Sequence, residues 1–404
     1  MAAGSEGSVF LRGDGLVLLS CGYQGLPVPI DPLELPDGET YLQVATSNLF
    51  AVLLRSDGAV VTWMPRDDPA DSVSGYGNCE VPALPRGLSY EQVGAGSVHL
   101  VLLRSDGQVL IGNDDCNSGQ EHTKLVPPLP AGLVYTQASG GFYCTAFLRS
   151  DGEASFYDHR EASITIYPIS ELPQGVTYTQ VAAGFECHLL LRSDGQATIR
   201  GRNYCGECDV PELPPGVTYT QIFRGHGQRR TTSRGMEHIA HNALLRSDGQ
   251  VVAIGSNLWG QCEVPSLPEG LTYVDVSAGV NHTLLHRSDG EVVAVGFKDN
   301  GQCDIPGLPA GMRYMSCRRA TRVMLELTVS EKDSMEDPLE ISCSKLSGEV
   351  IFTIDMSPAQ LGLELHNKVN SYLGRDHIAQ VVLPSGGTLR SSDFDTSLRD
   401  LLIK

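Results

Sequence analysis

The chain has 404 residues with 48 acidic and 29 basic side chains, which gives a formal net charge of −19. This acidity, with only six lysines, excludes sequence-independent binding to nucleic acid or anionic membranes, since both need clustered Lys and Arg. Residues 1–7 lack the basic region and apolar stretch of a secretory leader, and no apolar run is long enough to span a bilayer, so we expect neither a leader nor a membrane span. The 11 cysteines fit a reducing compartment. We therefore expect a soluble protein of the cytoplasm, with the nucleus as a second location.

A short motif, Arg-x-Asp-Gly, recurs through most of the chain. Successive arginines of the motif are 41 to 54 residues apart, a spacing typical of solenoids, propellers and similar repeat folds. Six copies read Arg-Ser-Asp-Gly and the first reads Arg-Gly-Asp-Gly; their arginines are Arg12, Arg55, Arg104, Arg149, Arg192, Arg246 and Arg287.

Each repeat predicts a β-hairpin. In the copy from Tyr273 to Gly296, apolar and β-branched runs flank the pair Asp289-Gly290. Glycine adopts positive φ without a Cβ clash and aspartate tolerates it, so this pair indicates a tight turn. No repeat has a helical period, and an all-β unit of about 45 residues has the length of a propeller blade.

The counts of the repeated elements predict a closed ring. A tyrosine that starts each unit occurs seven times, as does the Arg-x-Asp-Gly motif, but the two are out of phase at the ends. The chain starts with the second half of a unit, Ser8 to Leu19, and the repeats end on a first half, Tyr314 to Leu327. Pairing these halves removes the open sheet edges. The prediction is an all-β, seven-bladed β-propeller over residues 8–327 with a shared closing blade.

Two longer motifs accompany the repeat: Ala-Gly-x-x-His leading into the Asp-Gly turn, as in Ala278 to Val293, and Asn-x-x-Gly-Gln, as in Asn257 to Gln261. This pattern resembles the regulator of chromosome condensation repeat, which implies a seven-bladed propeller. That family includes an exchange factor for a small nuclear GTPase, a plant ultraviolet photoreceptor and propeller regions of giant HECT-type ubiquitin ligases. The photoreceptor needs a tryptophan cluster, whereas this chain has two tryptophans, and the 77 residues after Leu327 are too few for a HECT domain.

A second, α+β domain is predicted over residues 339–404, after an acidic linker at 328–338. Two alternating apolar runs precede a helix signal from Ser357 to Gly374, and two short apolar runs follow it. This order resembles ubiquitin (β-grasp), and the resemblance places Leu346 and Leu383 in the apolar patch through which ubiquitin is recognised. The alternative is that these leucines only pack. The last, central strand of the ubiquitin fold is missing at Lys404, so the chain is a fragment, the domain is unstable, or another segment completes the sheet.

One insertion interrupts the regular spacing. The distance from tyrosine to the histidine position is usually nine residues, but it is 22 between Tyr219 and His241. The insertion, residues 224–238, has one acidic residue and four arginines, Arg224, Arg229, Arg230 and Arg234. Arginine suits carboxylate or phosphate partners, so these four residues are candidate partner-binding residues. The alternatives are a mobile surface loop or a kinase recognition site at Arg229 to Thr232.

The remaining candidates for chemistry have structural explanations. His99, His241 and His282 share one repeat position with Phe50 and other apolar residues, which indicates packing. The Asp-Gly aspartates are predicted turn residues. Cys205 and Cys208 have the spacing of half a zinc site, but no second pair accompanies them. We expect no catalytic residue, cofactor or metal.

The sequence therefore favours a non-catalytic interaction scaffold. In this interpretation, the propeller binds a client protein while the ubiquitin-like domain binds a ubiquitin receptor, proteasome or ligase component. One alternative is a guanine-nucleotide exchange factor that uses the arginine-rich insertion on a small GTPase. Another is the substrate-binding part of a ubiquitin ligase system.

Overall fold

The structure is a computed structural model. It describes residues 1–4, 7–21, 28–29, 35, 39–47, 50–63, 81–97, 99–112, 124–159, 166–168, 172–184, 187–225, 227–232, 235–309, 311–315, 321–329, 339–345, 350–356, 377–382 and 388–390. The chain divides into two compact units, Met1–Arg318 and Arg319–Lys404. All regular structure within those ranges is β-strand, and a helix with the length and apolar character of a membrane span is not found among them.

Seven antiparallel sheets of three or four strands follow one another in the described part of the first unit. Sheets 1 and 2 consist of Ala2–Ala3, Gly7–Leu11, Val17–Cys21 and Val28–Pro29 (β1–β4), and Tyr41–Thr46, Ala51–Arg55 and Val60–Trp63 (β5–β7). Sheets 3 and 4 consist of Tyr90–Ala95, Leu100–Arg104, Val109–Gly112 and Lys124–Leu125 (β8–β11), and Tyr135–Gly140, Cys144–Arg149, Ala154–Asp158 and Ile166–Pro168 (β12–β15).

The next sheets have three described strands each, and one of them contains an extra hairpin. Sheet 5 consists of Tyr178–Ala183, Cys187–Arg192 and Ala197–Gly201 (β16–β18). Sheet 6 consists of Tyr219–Arg224 (β19), His241–Arg246 (β22) and Val251–Gly255 (β23), and sheet 7 of Tyr273–Ala278, His282–Arg287 and Val292–Gly296 (β24–β26). Between β19 and β22, the insertion forms a separate two-stranded hairpin, Gln228–Thr232 (β20) and Gly235–Ile239 (β21).

The Arg-x-Asp-Gly motif forms the turn between the second and third strands of each sheet, which confirms the predicted role of the aspartates. In sheet 6, Arg246 pairs with the Asp248 carboxylate, whose other oxygen accepts the Gln250 backbone N–H at 3.1 Å. Gly249 has a φ of 76°, and its carbonyl accepts the backbone N–H of Tyr273 in sheet 7 at 2.8 Å. The equivalent glycines of sheets 1 to 5 make the same contact with the next sheet.

Buried apolar side chains fill the space between successive sheets. Val101 and Ile111 of sheet 3, for example, pack with Tyr135 and Phe147 of sheet 4. The first strand of each sheet contacts the first strand of the next, and β24 of sheet 7 contacts β1 of sheet 1. This cyclic arrangement of repeated sheets is that of a β-propeller.

The sheet that closes the ring differs in part from the prediction. Tyr314 lies opposite Arg12, and the Met315 backbone N–H donates to the Leu11 carbonyl at 2.7 Å, so the predicted pairing begins. The first strand is then continued by β1 at the amino end of the chain, whereas residues 321–327 belong to a different sheet. Ala2 and Ala3 of β1 pair with β2 of sheet 1.

A steric constraint explains why the segment from Met1 to Gly4 fits this position. The first strands crowd together, and a Cβ on Gly4 would lie 2.9 Å from the carbonyl oxygen of Ser47 in sheet 2. The small residues Ala2, Ala3 and Gly4 therefore match the Ala-Gly pairs that end the other first strands. Met1 is buried in the cluster shared by sheets 7 and 1.

The second unit contains one five-stranded sheet. Its strands are Thr321–Val329 (β27), Leu339–Lys345 (β28), Val350–Met356 (β29), His377–Val382 (β30) and Thr388–Arg390 (β31). Their order is β29-β28-β27-β30-β31, with β27 antiparallel to β28 and parallel to β30.

Strand β27 thus occupies the centre of the second unit's sheet, although the sequence assigned residues 321–327 to the propeller and residues 328–329 to the linker. The division between the units falls after Arg318, nine residues before the predicted boundary at 327. The predicted helix at 357–374, Leu346 and Leu383 lie outside the described residues. The ubiquitin-like assignment therefore stays a prediction.

The three histidines at the recurring position are fully buried between sheets, as the structural interpretation predicts. The Nε2 atoms of His99, His241 and His282 hydrogen-bond with hydroxyls of the following sheet at 3.0, 2.8 and 2.8 Å. Burial, together with nearby Arg224, lowers the pKa of His241 to about 4, and burial lowers that of His282 to about 3. Both rings are therefore neutral near pH 7.

We expect replacement of Gly249 by alanine to destabilise the protein more than replacement of Gly270. Both glycines have positive φ, 76° and 80°, so both variants lose about 1 kcal/mol from backbone strain. A Cβ on Gly249 would lie 2.4 Å from the Thr272 Cβ, whereas Gly270 has nothing within 4 Å. Gly249→Ala should therefore lose about 2 kcal/mol more in urea unfolding. Equal losses would contradict the crowded turn-to-strand contact.

We also expect the free energy of unfolding to fall as the pH drops from about 6.5 toward 4. The folded-state pKa of His241 is about 4 and that of His282 about 3, below the unfolded value, so protons bind the unfolded chain preferentially in this range. The loss should be on the order of 2 kcal/mol per histidine at pH 5. The variant His282→Gln keeps a hydrogen-bonding group at this position but does not titrate. Because the carboxylates are the same in both proteins, the difference between the two stability curves reports the histidine alone. Parallel stability curves for the two proteins would refute this assignment.

Candidate functional site

The two ends of the sheets differ in character. At one end, the turn arginines pair with their aspartates in all seven copies. Large aliphatic side chains are exposed at both ends, for example Leu42 by 51% near the turns. The exposed tyrosines, Tyr143 by 42% and Tyr204 by 38%, lie at the other end, where the third strands finish, and Leu258 is exposed there by 59%. Arg200 and Arg202 are also exposed at this end. We call Tyr143, Arg200, Arg202, Tyr204 and Leu258 the arginine–aromatic face.

A groove of about 340 Å³ lies in this face between sheets 4 and 5. Its aromatic lining comes from Tyr143 and Phe156, and its charged lining from Asp158, Arg200 and Arg202. The Phe156 ring packs on the His188 ring with a centroid distance of 4.4 Å, and this contact joins the two sheets beside the groove. The groove therefore combines an apolar wall with two cationic side chains.

The inserted hairpin stands beside the groove. His238 of β21 stacks on Tyr204 with ring centroids 3.7 Å apart and planes 9° apart. Tyr204 in turn accepts a hydrogen bond from Arg202, whose guanidinium carbon lies 5.7 Å from the tyrosine ring centroid. The described part of the insertion is thus a β-hairpin that contacts the arginine–aromatic face.

The four predicted arginines of the insertion have different surroundings. Arg229 and Arg230 lie on β20, paired with His238 and Glu237 of β21. Arg234 lies outside the described residues. Arg224 differs from the prediction, because it ends β19 and is buried, with 8% of its surface exposed.

Arg224 is held inside the propeller by its neighbours. Its guanidinium donates to the Asn242 Oδ1 at 2.7 Å, and its side chain lies against Gly184 of sheet 5, where a Cβ would be 1.5 Å from the arginine Nε. Arg224 stands five residues after Tyr219, the position at which other first strands have Ala95 or Ala183. That register, rather than composition, identifies it as an interior residue.

The buried arginine changes the acid–base properties of its surroundings. Burial and then Arg224 lower the pKa of His188 to about 4, so this ring is neutral where it contacts Phe156. Burial raises the pKa of the Cys187 thiol to about 12, although Arg224 opposes the rise. Neither group therefore has the pKa of a nucleophile or a general base near pH 7.

The cysteines with zinc-like spacing make structural contacts. The Cys205 thiol donates to the Glu207 carboxylate at 3.1 Å, and the Cys208 thiol donates to the Arg202 carbonyl at 3.3 Å. Cys262 and Cys303 donate to the carbonyl six residues before them in the same way. Within the described residues, no group of three or more His, Cys, Asp or Glu side chains could hold a metal ion.

Solved structures of known proteins share the fold of the first unit. Human WBSCR16 is 17% identical with a TM-score of 0.52, and the match covers 70% of this chain and 85% of that one. Prp20p from Saccharomyces cerevisiae, in a structure described with its binding properties to Gsp1p and histones, is 16% identical with a TM-score of 0.53, over 75% and 85% of the two chains. Yeast RCC1 (Prp20) bound to Kap60 is 17% identical with a TM-score of 0.51, over 74% and 82%.

These likenesses show that the chain contains an RCC1-like β-propeller, in agreement with the resemblance of its repeats. No family model and no curated protein matches the chain.

We expect Arg224→Met to raise the pKa of both His188 and His241, because Arg224 lowers each of them. Loss of the charged hydrogen bond to Asn242 should also lower the free energy of unfolding by about 2 kcal/mol. NMR titration of the histidine ring protons measures the pKa values, with assignments from His188→Gln and His241→Gln. The control is Arg230→Met, in the inserted hairpin. Unchanged histidine pKa values in Arg224→Met would contradict the interior placement of Arg224.

Proposed function

We propose that the chain is a non-catalytic interaction scaffold, in which a seven-bladed propeller binds a client protein through the arginine–aromatic face. The observation that supports this function is the exposure of Tyr143, Tyr204 and Leu258 beside Arg200 and Arg202. Aromatic residues and arginine are enriched in protein interfaces, and clustered exposed apolar groups mark binding surfaces. A solved neighbour described with binding to Gsp1p and histones, and another bound to Kap60, support a protein partner.

Two exposed leucines provide a matched test of this surface. Leu258 is 59% exposed on the arginine–aromatic face, and Leu42 is 51% exposed near the opposite, turn end of sheet 2. We expect affinity capture from lysate of the source cells to lose its bound proteins with Leu258→Glu and to retain them with Leu42→Glu. If both variants retain the same proteins as the unaltered chain, the arginine–aromatic face is not the interaction surface.

We further propose that the second unit is a ubiquitin-like domain that links the client to the ubiquitin system. Support comes from the sequence resemblance and from a mixed sheet in which two strand pairs, β28–β29 and β30–β31, flank a central strand. In this arrangement the chain is an adaptor, or the substrate-binding part of a ubiquitin ligase system. Leu346→Ala with Leu383→Ala in the full chain should then lose proteasome or ligase components while keeping the propeller's client. Retention of both groups of proteins would count against the adaptor role.

A second candidate function is guanine-nucleotide exchange on a small GTPase, which the hairpin β20–β21 favours because it stands on the proposed binding face. Purified Gsp1p, the protein named with Prp20p, is a practical probe. Exchange activity requires that the full chain accelerate release of labelled GDP, and that a variant with residues 228–239 replaced by a short glycine turn not do so. Unchanged release with the full chain would exclude exchange on this GTPase.

A further inference from the structure

The groove between sheets 4 and 5 has a chemistry that narrows the class of partner. Tyr143 is held by an edge contact with Phe142, whose ring centroid is 4.4 Å away, and Phe156 is fixed on His188. The two aromatic walls are therefore positioned before any partner binds. Fixed apolar walls suit a bulky side chain, because little conformational entropy is lost when it enters.

The groove has two cationic side chains although the protein as a whole is strongly acidic. The chain has a net charge of −19, yet Arg200 and Arg202 line this groove. Seven other arginines are neutralised by turn aspartates, whereas the described residues show no ion pair for Arg200. An exposed guanidinium presents a planar fork of donors that matches a carboxylate.

The Asp158 carboxylate would repel a negative charge of a partner inside the groove. It is half-buried in the lining of the groove, on the sheet 4 side, whereas Arg200 lies on β18 of sheet 5. A carboxylate or phosphate inside the groove would approach Asp158, but one on the sheet 5 side would meet the arginines. A nucleic-acid strand has a charge at every phosphate, whereas a peptide alternates charged and uncharged side chains. The charge arrangement therefore fits a peptide.

We infer that this groove binds an acidic segment of a partner protein, with one aromatic or large aliphatic side chain between Tyr143 and Phe156 and neighbouring carboxylates on Arg200 and Arg202. This inference rests on the proposed function, because it names the partner chemistry of the same face.

Fluorescence anisotropy with the full chain tests the inference directly. The probe is a fluorescein-labelled peptide of sequence Gly-Asp-Glu-Asp-Phe-Glu-Asp-Glu-Gly. One comparison peptide has Ser in place of Phe, a second has the amides Asn and Gln in place of every acid, and a third probe is a labelled oligo-dT of nine nucleotides. We expect the first peptide to bind at least about tenfold more tightly than each of the others, and to weaken at high salt.

Variants separate the groove from general electrostatics. Arg200→Ala and Tyr143→Ala should each weaken binding of the acidic phenylalanine peptide by about tenfold, the loss expected for one charge-assisted or anchoring contact. The control is Arg86→Ala, which removes one exposed charge from the loop before β8, near the turn end. Thermal unfolding of each variant establishes that it is folded. We expect all of them to fold, because each replaced residue is exposed and its removal disrupts little packing.

Several results would overturn the inference. They are equal binding of the amide peptide, tighter binding of the oligonucleotide, no binding of the acidic peptide, or no effect of Arg200→Ala. If Leu258→Glu abolishes client capture while the acidic peptide fails to bind, the face is an interaction surface but the groove does not recognise acidic segments. If Leu258→Glu has no effect on capture, the proposed function fails as well.

Discussion

The contact between the turn glycine of one sheet and the tyrosine of the next determines how the first unit is assembled. The Gly249 carbonyl accepts the Tyr273 N–H, and the positive φ of Gly249 brings that carbonyl into place while the absent Cβ leaves room for Thr272. The ion pair between Arg246 and Asp248 stabilises the same turn. The turn end of the sheets therefore has a defined conformation, and the charge of each motif arginine is neutralised by its aspartate. This explains why a repeat so constant in sequence is structural. The opposite end, where loops and side chains vary between sheets, is the end that contains the proposed binding face.

Much of this arrangement could be predicted from the sequence, because the turn chemistry is local. A Gly that needs positive φ and an Asp that accepts its neighbour's N–H are recognisable within four residues, and their recurrence gives the order of the sheets. The closing sheet could be predicted only in part. Tyr314 lies opposite the turn arginine Arg12, as Tyr41 lies opposite Arg55, but its strand is completed by Ala2 and Ala3, a segment of two residues with no strand pattern of its own. Its one sequence signal is the Ala3-Gly4 pair, which matches Ala183-Gly184 in a regular copy. Long-range pairing of so short a segment is determined by crowding around the axis, which no local pattern reports.

The candidate site could be predicted from the sequence to a smaller extent than the fold. The composition of the insertion predicts a basic island, but composition treats Arg224 as equal to Arg229 and Arg230. Repeat register separates them, because Arg224 holds the last position of a first strand, where Gly184 of the preceding sheet leaves space for its side chain. The groove itself is beyond sequence reasoning. Tyr143 and Phe156 belong to one sheet and Arg200 to the next, and their proximity depends on how two sheets pack side by side.

Arg224, at the base of the hairpin β20–β21, connects the hairpin to the groove. Arg224 fills the space beside Gly184 and donates a hydrogen bond to Asn242. Burial, and then Arg224, lowers the pKa of His188, whose neutral ring packs against Phe156 at the groove. On the far side of the hairpin, His238 stacks on Tyr204, which accepts a hydrogen bond from Arg202. The insertion is therefore connected to the groove by two sets of contacts, those of buried Arg224 and those of His238 at the surface. Burying a cation costs desolvation energy, and the propeller fold does not require a cation here, since other first strands end in alanine, glycine or threonine at this position. The position of Arg224 at the base of the hairpin and next to the groove is the strongest reason to regard the arginine–aromatic face as a built site and not as an accidental exposure of apolar side chains.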